Sequence, residues 1–243
     1  MSGISKIKKY TLGIAATVLM FLVLGYTFFS PLVKYEIGKF TSSRAKTTAG
    51  AAVTRLDVSY HRQEHSLSCE LASLKMVLNY YGVNVSESEI IEKLAFDTTP
   101  KTRTTWGDPS VGFVGNIDGK MGKTGYGVYY GPVAEVARNW KYADAMNQLT
   151  AQDVANHIER DRPLVVWGYY GSGKRLSWST PEGKKIYAVN GEHARVVIGF
   201  TGSALDPEGF ILLDPIYGEI YWTTEQFMKN FASFDNSAVV VYR

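Results

Sequence analysis

A single cysteine, Cys69, occurs in 243 residues, and that scarcity excludes an internal disulfide framework and any cysteine-rich zinc site. Neither sign of charge is in excess. The net charge is +3, and Lys6, Lys8 and Lys9 account for it, being the only charged side chains before Lys34. The rest of the chain is balanced and has no field to attract nucleic acid, so no nucleic-acid partner is expected. No internal repeat is present. With 45% hydrophobic and 20% charged residues, neither disorder nor a polytopic membrane protein fits. A mass of 27.0 kDa allows one ordinary domain plus an appendage.

The appendage is N-terminal. Residues 1–9 form a short basic tail, and Tyr10 to Val33 carry no charge. At about 1.5 Å per residue a helix of that length spans a hydrocarbon core, with Tyr26, Phe28 and Phe29 near one interface. A cleaved signal peptide is the competing reading, but the apolar run is long for one and only Val23-Leu24-Gly25 offers a passable cleavage site. A single-pass membrane anchor at 10–33 is therefore expected. Lysines and arginines on its two sides nearly balance; a short tail before a first span favours a body outside the cell membrane. Residues 34–52 read as a linker, Ser/Thr/Ala/Gly-rich from Thr41, and the folded domain is expected over 53–243.

Within that domain Leu56, Val58 and Tyr60 alternate with polar residues as in a short strand. Leu71, Leu74, Val77, Leu78 and Tyr81 follow at helical spacing, predicting a helix from about Ser68 to Tyr81 with a serine cap and Gly82 as the stop. Ser86-Glu87-Ser88-Glu89 has the capping-box pattern of a second helix. Phe96 to Tyr130 is rich in Gly, Asp, Pro and Thr and reads as a long loop, too polar for core elements. Pro132–Trp140 and Thr150–Arg160 read as short helices. Strands are then expected at Leu164–Tyr170, Lys185–Val189, His193–Phe200, Phe210–Leu213, Glu219–Trp222 and Ala238–Tyr242, with a helix opened by Thr223 and Gln226 before the last. Helices first and a mostly antiparallel sheet afterwards predict an α+β domain with two lobes.

Three segments invite a chemical reading. Gly168 to Lys174 has the glycine and lysine spacing of a phosphate-binding loop, but Arg175 stands where a Ser or Thr hydroxyl is needed and no helix follows; a glycine-rich hairpin turn fits better. His61-Arg62-Gln63-Glu64-His65 matches a zinc-peptidase pattern that works only on a helix, whereas this segment lies between a strand and a helix cap. Cys69 sits in the first turn of the predicted helix, where backbone N–H groups and the helix dipole favour a thiolate. A lone cysteine also serves as a small buried hydrophobe. Gln63, six residues upstream, could join the Cys69 N–H as an oxyanion hole. His193 at the start of a strand, expected at a sheet edge rather than in the core, and Asp214 at the end of Ile211-Leu212-Leu213 could supply a base and its orienter. Taken singly, His193 reads equally as a structural histidine and Asp214 as a turn former before Pro215.

Together these residues resemble a known family, the papain-like cysteine peptidases of the bacteriocin-processing, double-glycine leader type, and in particular their stand-alone peptidase family thirty-nine-like bacterial relatives. Gln63 through "SLSCELASLKMVLNYYG", then "GDPSVGFVG", "GYGVYYGPVAEVA", "RPLVVWGYY", "GEHARVVIGF" and "ILLDPIYG" carry the resemblance, in the family's order and over most of 55–243. It implies a papain-like fold, a helical N-terminal lobe on a mostly antiparallel sheet lobe. It also implies Cys69 as nucleophile, His193 as base and acid, Asp214 as orienter and Gln63 in the oxyanion hole. No metal or organic cofactor is implied, and the substrate would be a peptide or protein. Glu70 departs from the transporter-borne members, which tend to carry a small residue there, so double-glycine specificity does not carry over; Glu70 itself could simply favour the helix N-terminus. Trp106, Phe113, Tyr126, Tyr129 and Tyr130 on the long loop read either as a substrate-facing wall or as pins holding the loop to the helices. A membrane-anchored cysteine peptidase leads. A catalytically silent peptide-binding protein of the same fold and an amidase or acyltransferase using the same triad are the alternatives.

Overall fold

The computed structural model describes residues 52–243, so the tail, the expected span at 10–33 and the linker up to 51 lie outside the described residues. Among the described residues no helix is long and apolar enough to cross a membrane.

The frame is an antiparallel sheet. In chain order the elements are β1 (Val53–Arg55), α1 (Cys69–Tyr80), α2 (Glu87–Lys93), β2 (Phe96–Asp97), β3 (Phe113–Gly115), β4 (Gly125–Gly127), α3 (Tyr130–Ala137), β5 (Ala143–Met146) and α4 (Ala151–Glu159). There follow β6 (Leu164–Tyr169), β7 (Arg175–Ser179), β8 (Lys185–Val189), β9 (Glu192–Ser203), β10 (Asp206–Asp214), β11 (Gly218–Thr223), α5 (Thr224–Phe231) and β12 (Ala238–Val241), with a 3-10 turn at Ala232–Phe234. The large sheet runs β11-β10-β9-β6-β12-β5, and β1 continues the β6 edge of β9 by pairing with Gly199–Thr201. A three-stranded sheet β2-β3-β4 and the hairpin β7-β8 stand apart from it.

The helix α1 is the hub of the core. Nine of its twelve residues are buried, so it is apolar nearly all round and packs inside the domain, across β9 and β6. Its end follows the expected chemistry: Gly82 at φ +78° lets the Gly82 and Val83 N–H groups return to the carbonyls of Asn79 and Leu78. Its start does not. Ser68 holds the cap position, but its hydroxyl turns back to His65, accepting the N–H and donating to the carbonyl, and caps no helix N–H. Capping boxes are present at Ser86/Glu89, Thr150/Asp153 and Thr223/Gln226.

Several expectations are corrected. The alternation through Leu56, Val58 and Tyr60 marks an extended approach to α1, while the paired strand is β1 just before it; Leu56 and Val58 are buried without a continuous ladder. Helix α3 covers Tyr130–Ala137, two residues earlier at its start and three at its end than its apolar spacing suggests. Strands β5 and β7 carry no strand signal in the sequence, because Ala-Asp-Ala-Met and Arg-Leu-Ser-Trp-Ser have little β-branched character. The segment from Phe96 to Tyr130 is the largest miss. It holds β2, β3 and β4, and with β7-β8 it closes a second core of Trp106, Val114, Tyr126, Trp178, Ile186 and Ala188. Glycine and aspartate there serve tight backbone approaches: a Cβ on Gly125 would lie 2.1 Å from the Asn116 carbonyl oxygen. Polar composition concealed a few large aromatics that do the burying.

Candidate active site

Two elements bring the site together. Cys69 opens α1, and Ala194 of β9 donates its N–H to Cys69 Sγ at 3.4 Å, fixing the sulfur against the strand that carries His193. His193 Nε2–H donates to Asp214 Oδ2 at 3.0 Å, which leaves Nδ1 as the nitrogen for proton exchange. Asp214 ends β10, the neighbouring antiparallel strand, and its Oδ1 accepts the N–H groups of Ile216 and Tyr217 across the turn that follows. Asp214 is thus both the turn former and the histidine's partner. Across the sheet from His193 stands Gly168 of β6, and the Oδ1 of Asn230 fills the place a side chain there would take.

His193 is not at a sheet edge. It lies near the start of β9, paired with Gly168 of β6 and just beyond the end of the β10 ladder at Val196, with 1% of its surface exposed; Cys69 has 4% exposed. The ring of Tyr170, which follows β6, meets the imidazole edge-on at 5.8 Å between centroids. Burial and the charge of Arg195 lower the His193 pKa, so the imidazole is neutral at pH 7. Burial works against ionisation of Asp214 too. There, however, the His193 hydrogen bond, the His193 and Arg195 charges and the Ile216 N–H prevail, and the carboxyl is held well below its usual range.

Arg195, Glu70 and Glu192 belong to the site and were not read from the sequence as such. Arg195 lies two residues from His193 on the same strand face, and its Nε donates to Asp214 Oδ2 at 2.7 Å while the guanidinium lies 4.7 Å from the centre of the Trp222 ring. An arginine alternating with histidine in the otherwise apolar run His-Ala-Arg-Val-Val was the available signal, because a buried cation requires an acid partner. Glu70 does not face solvent at the helix N-terminus. It is fully buried, its Oε1 accepts the Val128 N–H at 2.8 Å, and its Oε2 accepts the Cys69 S–H at 3.3 Å. Glu192 is buried beside it, with neither carboxylate oxygen satisfied by a donor.

Gln63 takes a different place from an oxyanion donor in this state. Its backbone N–H bonds the Pro215 carbonyl, beside Asp214, and its side-chain amide donates to the carbonyls of His65 and Ser66 at 2.7 and 3.1 Å. His61 and His65 do not converge: His61 Nε2 donates to Glu87 Oε2 at 2.8 Å, and His65 pairs with Asp118 at 3.0 Å, in a segment with no helix. Among the described residues two groups gather three ligand-type side chains within 4.8 Å, His61-Glu64-Glu87 and Cys69-Glu70-Glu192. In the first His61 is hydrogen-bonded to Glu87, which also accepts the Glu64 N–H, and in the second the Cys69 S–H donates to Glu70; neither is assigned a metal.

The aromatic segment divides between core and cavity wall. Trp106, Phe113 and Tyr126 are buried pins. Tyr129 and Tyr130 line a cavity of about 400 Å³ with Tyr187, Val189 and Phe234, and that cavity is not lined by Cys69, His193 or Asp214.

The sequence profile of the Peptidase_C39 like family matches residues 55–239, from β1 to β12. The chain belongs to that family. It is 28% identical over 185 residues to "Uncharacterized protein YvpB" of Bacillus subtilis (strain 168), covering 72% of this chain and 69% of that one. Among solved structures it resembles a candidate C39-like peptidase from Bacillus anthracis, with a TM-score of 0.68, 22% identity and coverage of 79% of this chain and 98% of the other. A double glycine motif protease from an AMS/PCAT transporter in complex with the leader peptide aligns at a TM-score of 0.44 and 16% identity, over 78% of this chain and 94% of that one. The C39-like fold, with its mixed α+β content and mostly antiparallel sheet, is the fold of this family member.

Proposed function

We propose that the protein is a membrane-anchored cysteine peptidase that cleaves peptide bonds outside the cell membrane through a Cys69-His193-Asp214 triad. The observation that carries the reading is the Ala194 N–H to Cys69 Sγ contact, which ties a helix-start cysteine to the strand whose histidine is held by an acid. Family membership supports peptide chemistry, and the charge-free run from Tyr10 to Val33 supports the anchor.

Cys69 Sγ attacks the scissile carbonyl carbon and its proton passes to His193 Nδ1. The imidazolium, steadied by Asp214, gives that proton to the leaving amine as the C–N bond breaks. Water, deprotonated by the same nitrogen, hydrolyses the thioester and restores the thiol. The Cys69 N–H, in the first helical turn where no intrahelical acceptor exists, faces the oxyanion. Gln63 becomes the second donor if its amide leaves one of the His65 and Ser66 carbonyls.

A catalytically silent peptide-binding role is the second reading, favoured by the thiol hydrogen pointing to Glu70 rather than to the imidazole. Cleavage of a peptide library by the full chain in detergent separates the two. Activity that is lost in Cys69→Ala with unchanged folding is expected; equal cleavage by both proteins, or none by either, sinks the peptidase reading. Mass analysis with an added amine acceptor distinguishes hydrolysis from acyl transfer.

A further inference from the structure

The cluster behind the nucleophile has a composition that the triad does not require. Cys69, Glu70 and Glu192 are all buried, and their ligand-type atoms lie within 4.8 Å of one another. Room for two facing carboxyl groups exists because residue 127 is glycine: a Cβ there, at φ +139°, would lie 2.5 Å from Glu192 Oε2 and 2.7 Å from Glu70 Oε1. Two carboxylates this close and this dry do not both ionise, so they share a proton. Glu192 has no other donor to satisfy it, and it therefore carries that proton and presents it to Glu70.

The remaining charge on Glu70 determines the state of the sulfur. As a carboxylate, Glu70 Oε2 is an acceptor only, and the Cys69 S–H satisfies it. A thiolate in the same place would set a second negative charge against the first. A protonated Glu70 reverses the polarity: Oε1 still accepts the Val128 N–H, while the Oε2 hydroxyl now donates to sulfur, alongside the Ala194 N–H. The same cluster that requires a thiol at one proton count supports a thiolate at the next.

We infer that the Glu70–Glu192 pair is a proton-loaded switch on the nucleophile, holding Cys69 as an inert thiol when it carries one proton and releasing it to form the ion pair with His193 when it takes up a second. Glu70 and Glu192 act here as positioning residues. The inference rests on the proposed role of Cys69. The uptake is a simple protonation from solvent, forming one O–H bond on Glu70; the thiol proton then moves from Sγ to His193 Nδ1. The ionisable groups facing the cluster are His193 and Arg195 on β9, Asp214 on β10, Tyr126 on β4 with Tyr129 just after it, and Tyr170 after β6. Arg195 is engaged by Asp214, and burial keeps Tyr126, Tyr129 and Tyr170 protonated, so the carboxyl pair is the group with a proton to gain near neutrality. Consistent with this, burial lifts Glu70 to about 7 and, together with the Glu70 charge, lifts Glu192 well above its ordinary range. Burial and the neighbouring Glu70 carboxylate push the Cys69 thiol up as well.

The test is the rate of iodoacetamide alkylation of the single cysteine in the full chain, measured between about pH 4 and 9, beside peptide cleavage on the same samples. The parent is expected to react faster near pH 5.5 than at pH 7.5. Glu70→Gln keeps an acceptor for Val128 and a permanent donor for sulfur, and is expected to react at pH 7.5 about tenfold faster than the parent, with its acid-side rise abolished. Glu192→Gln, which stands in for the protonated Glu192 and leaves a donor to Glu70, is expected to keep the rise close to where the parent has it. A Glu70→Gln profile that superimposes on the parent, or a slower one, overturns the switch; slower would mean that the carboxylate is needed to accept the thiol proton. If the parent still cleaves peptides and loses alkylation in His193→Ala, the triad survives that failure. An ordinary thiol profile in every variant, with no cleavage, overturns both.

Discussion

Arg195 Nε and His193 Nε2 donate to the same oxygen, Asp214 Oδ2, at 2.7 and 3.0 Å. The acid that would orient the imidazole is therefore already neutralised by a guanidinium, and the second positive charge needed for an imidazolium meets Arg195 close by. This arrangement keeps His193 neutral at rest and makes Asp214 a holder of orientation more than a source of charge.

Removing the guanidinium should separate these roles. In Arg195→Met the charge that lowers His193 is gone, and the imidazole titration followed by NMR is expected to move to higher pH. Asp214 loses a buried partner, so the domain should also be destabilised by about 3 kcal/mol. An imidazole pKa that stays in place would show that Arg195 has no hold on His193.

Stability against pH carries opposing signs that can be read separately. Glu70, raised to about 7, and Glu192, also raised well above its ordinary range, contribute stability below the ordinary glutamate range that is lost as pH rises through their folded values. His193 and His157 are lowered, and they act the other way: their stability is present above the ordinary histidine pKa and lost as pH falls through the folded values. Asp214, depressed, contributes above the ordinary aspartate pKa and is lost only in stronger acid. The parent should melt higher at pH 5.5 than at pH 8, and in a Glu70→Gln/Glu192→Gln double variant the difference should shrink or reverse, a change of roughly 5 °C. Identical melting differences in the two proteins would contradict the buried, proton-sharing pair.

Gly127 is the third point of leverage. In Gly127→Ala the methyl group collides with both carboxyl groups in a backbone conformation that disfavours any side chain, and a loss of about 3 kcal/mol in denaturant unfolding is expected. Glycine at this position also closes β4, whose partner residue on β3 is Val114 of the second core. A variant as stable as the parent would mean that the carboxyl groups have space to part.

Much of this was legible in the chain. Capping boxes at Ser86, Thr150 and Thr223 are local chemistry, complete within four residues, and they reappear where the sequence predicts them. Cys69 and Asp214 also lie where the strand and helix patterns put them, at a helix start and a strand end. What escaped depends on partners distant in sequence. His193 reads as an edge residue because the strand after it is apolar, yet β6 pairs with it and Asp214 and Tyr170 close over its ring, leaving it buried. Glu70 looks like a helix-end charge because its backbone donor, Val128, and its neighbour, Glu192, are contributed by segments 58 and more residues away. The polar stretch before Tyr130 concealed a core because its partners, Trp178, Ile186 and Ala188, come from a hairpin much later in the chain.

The pairing of β1 with β9 sets a distance. Val53 to Arg55 lie against Thr201 to Gly199, six to eight residues along the strand from His193. At about 3.3 Å per residue, the backbone enters the domain some 20–26 Å from the imidazole, at the other end of the same strand. One end of β9 thus receives the chain and the other carries the histidine, so Cys69, His193 and Asp214 are brought together with no contribution from β1.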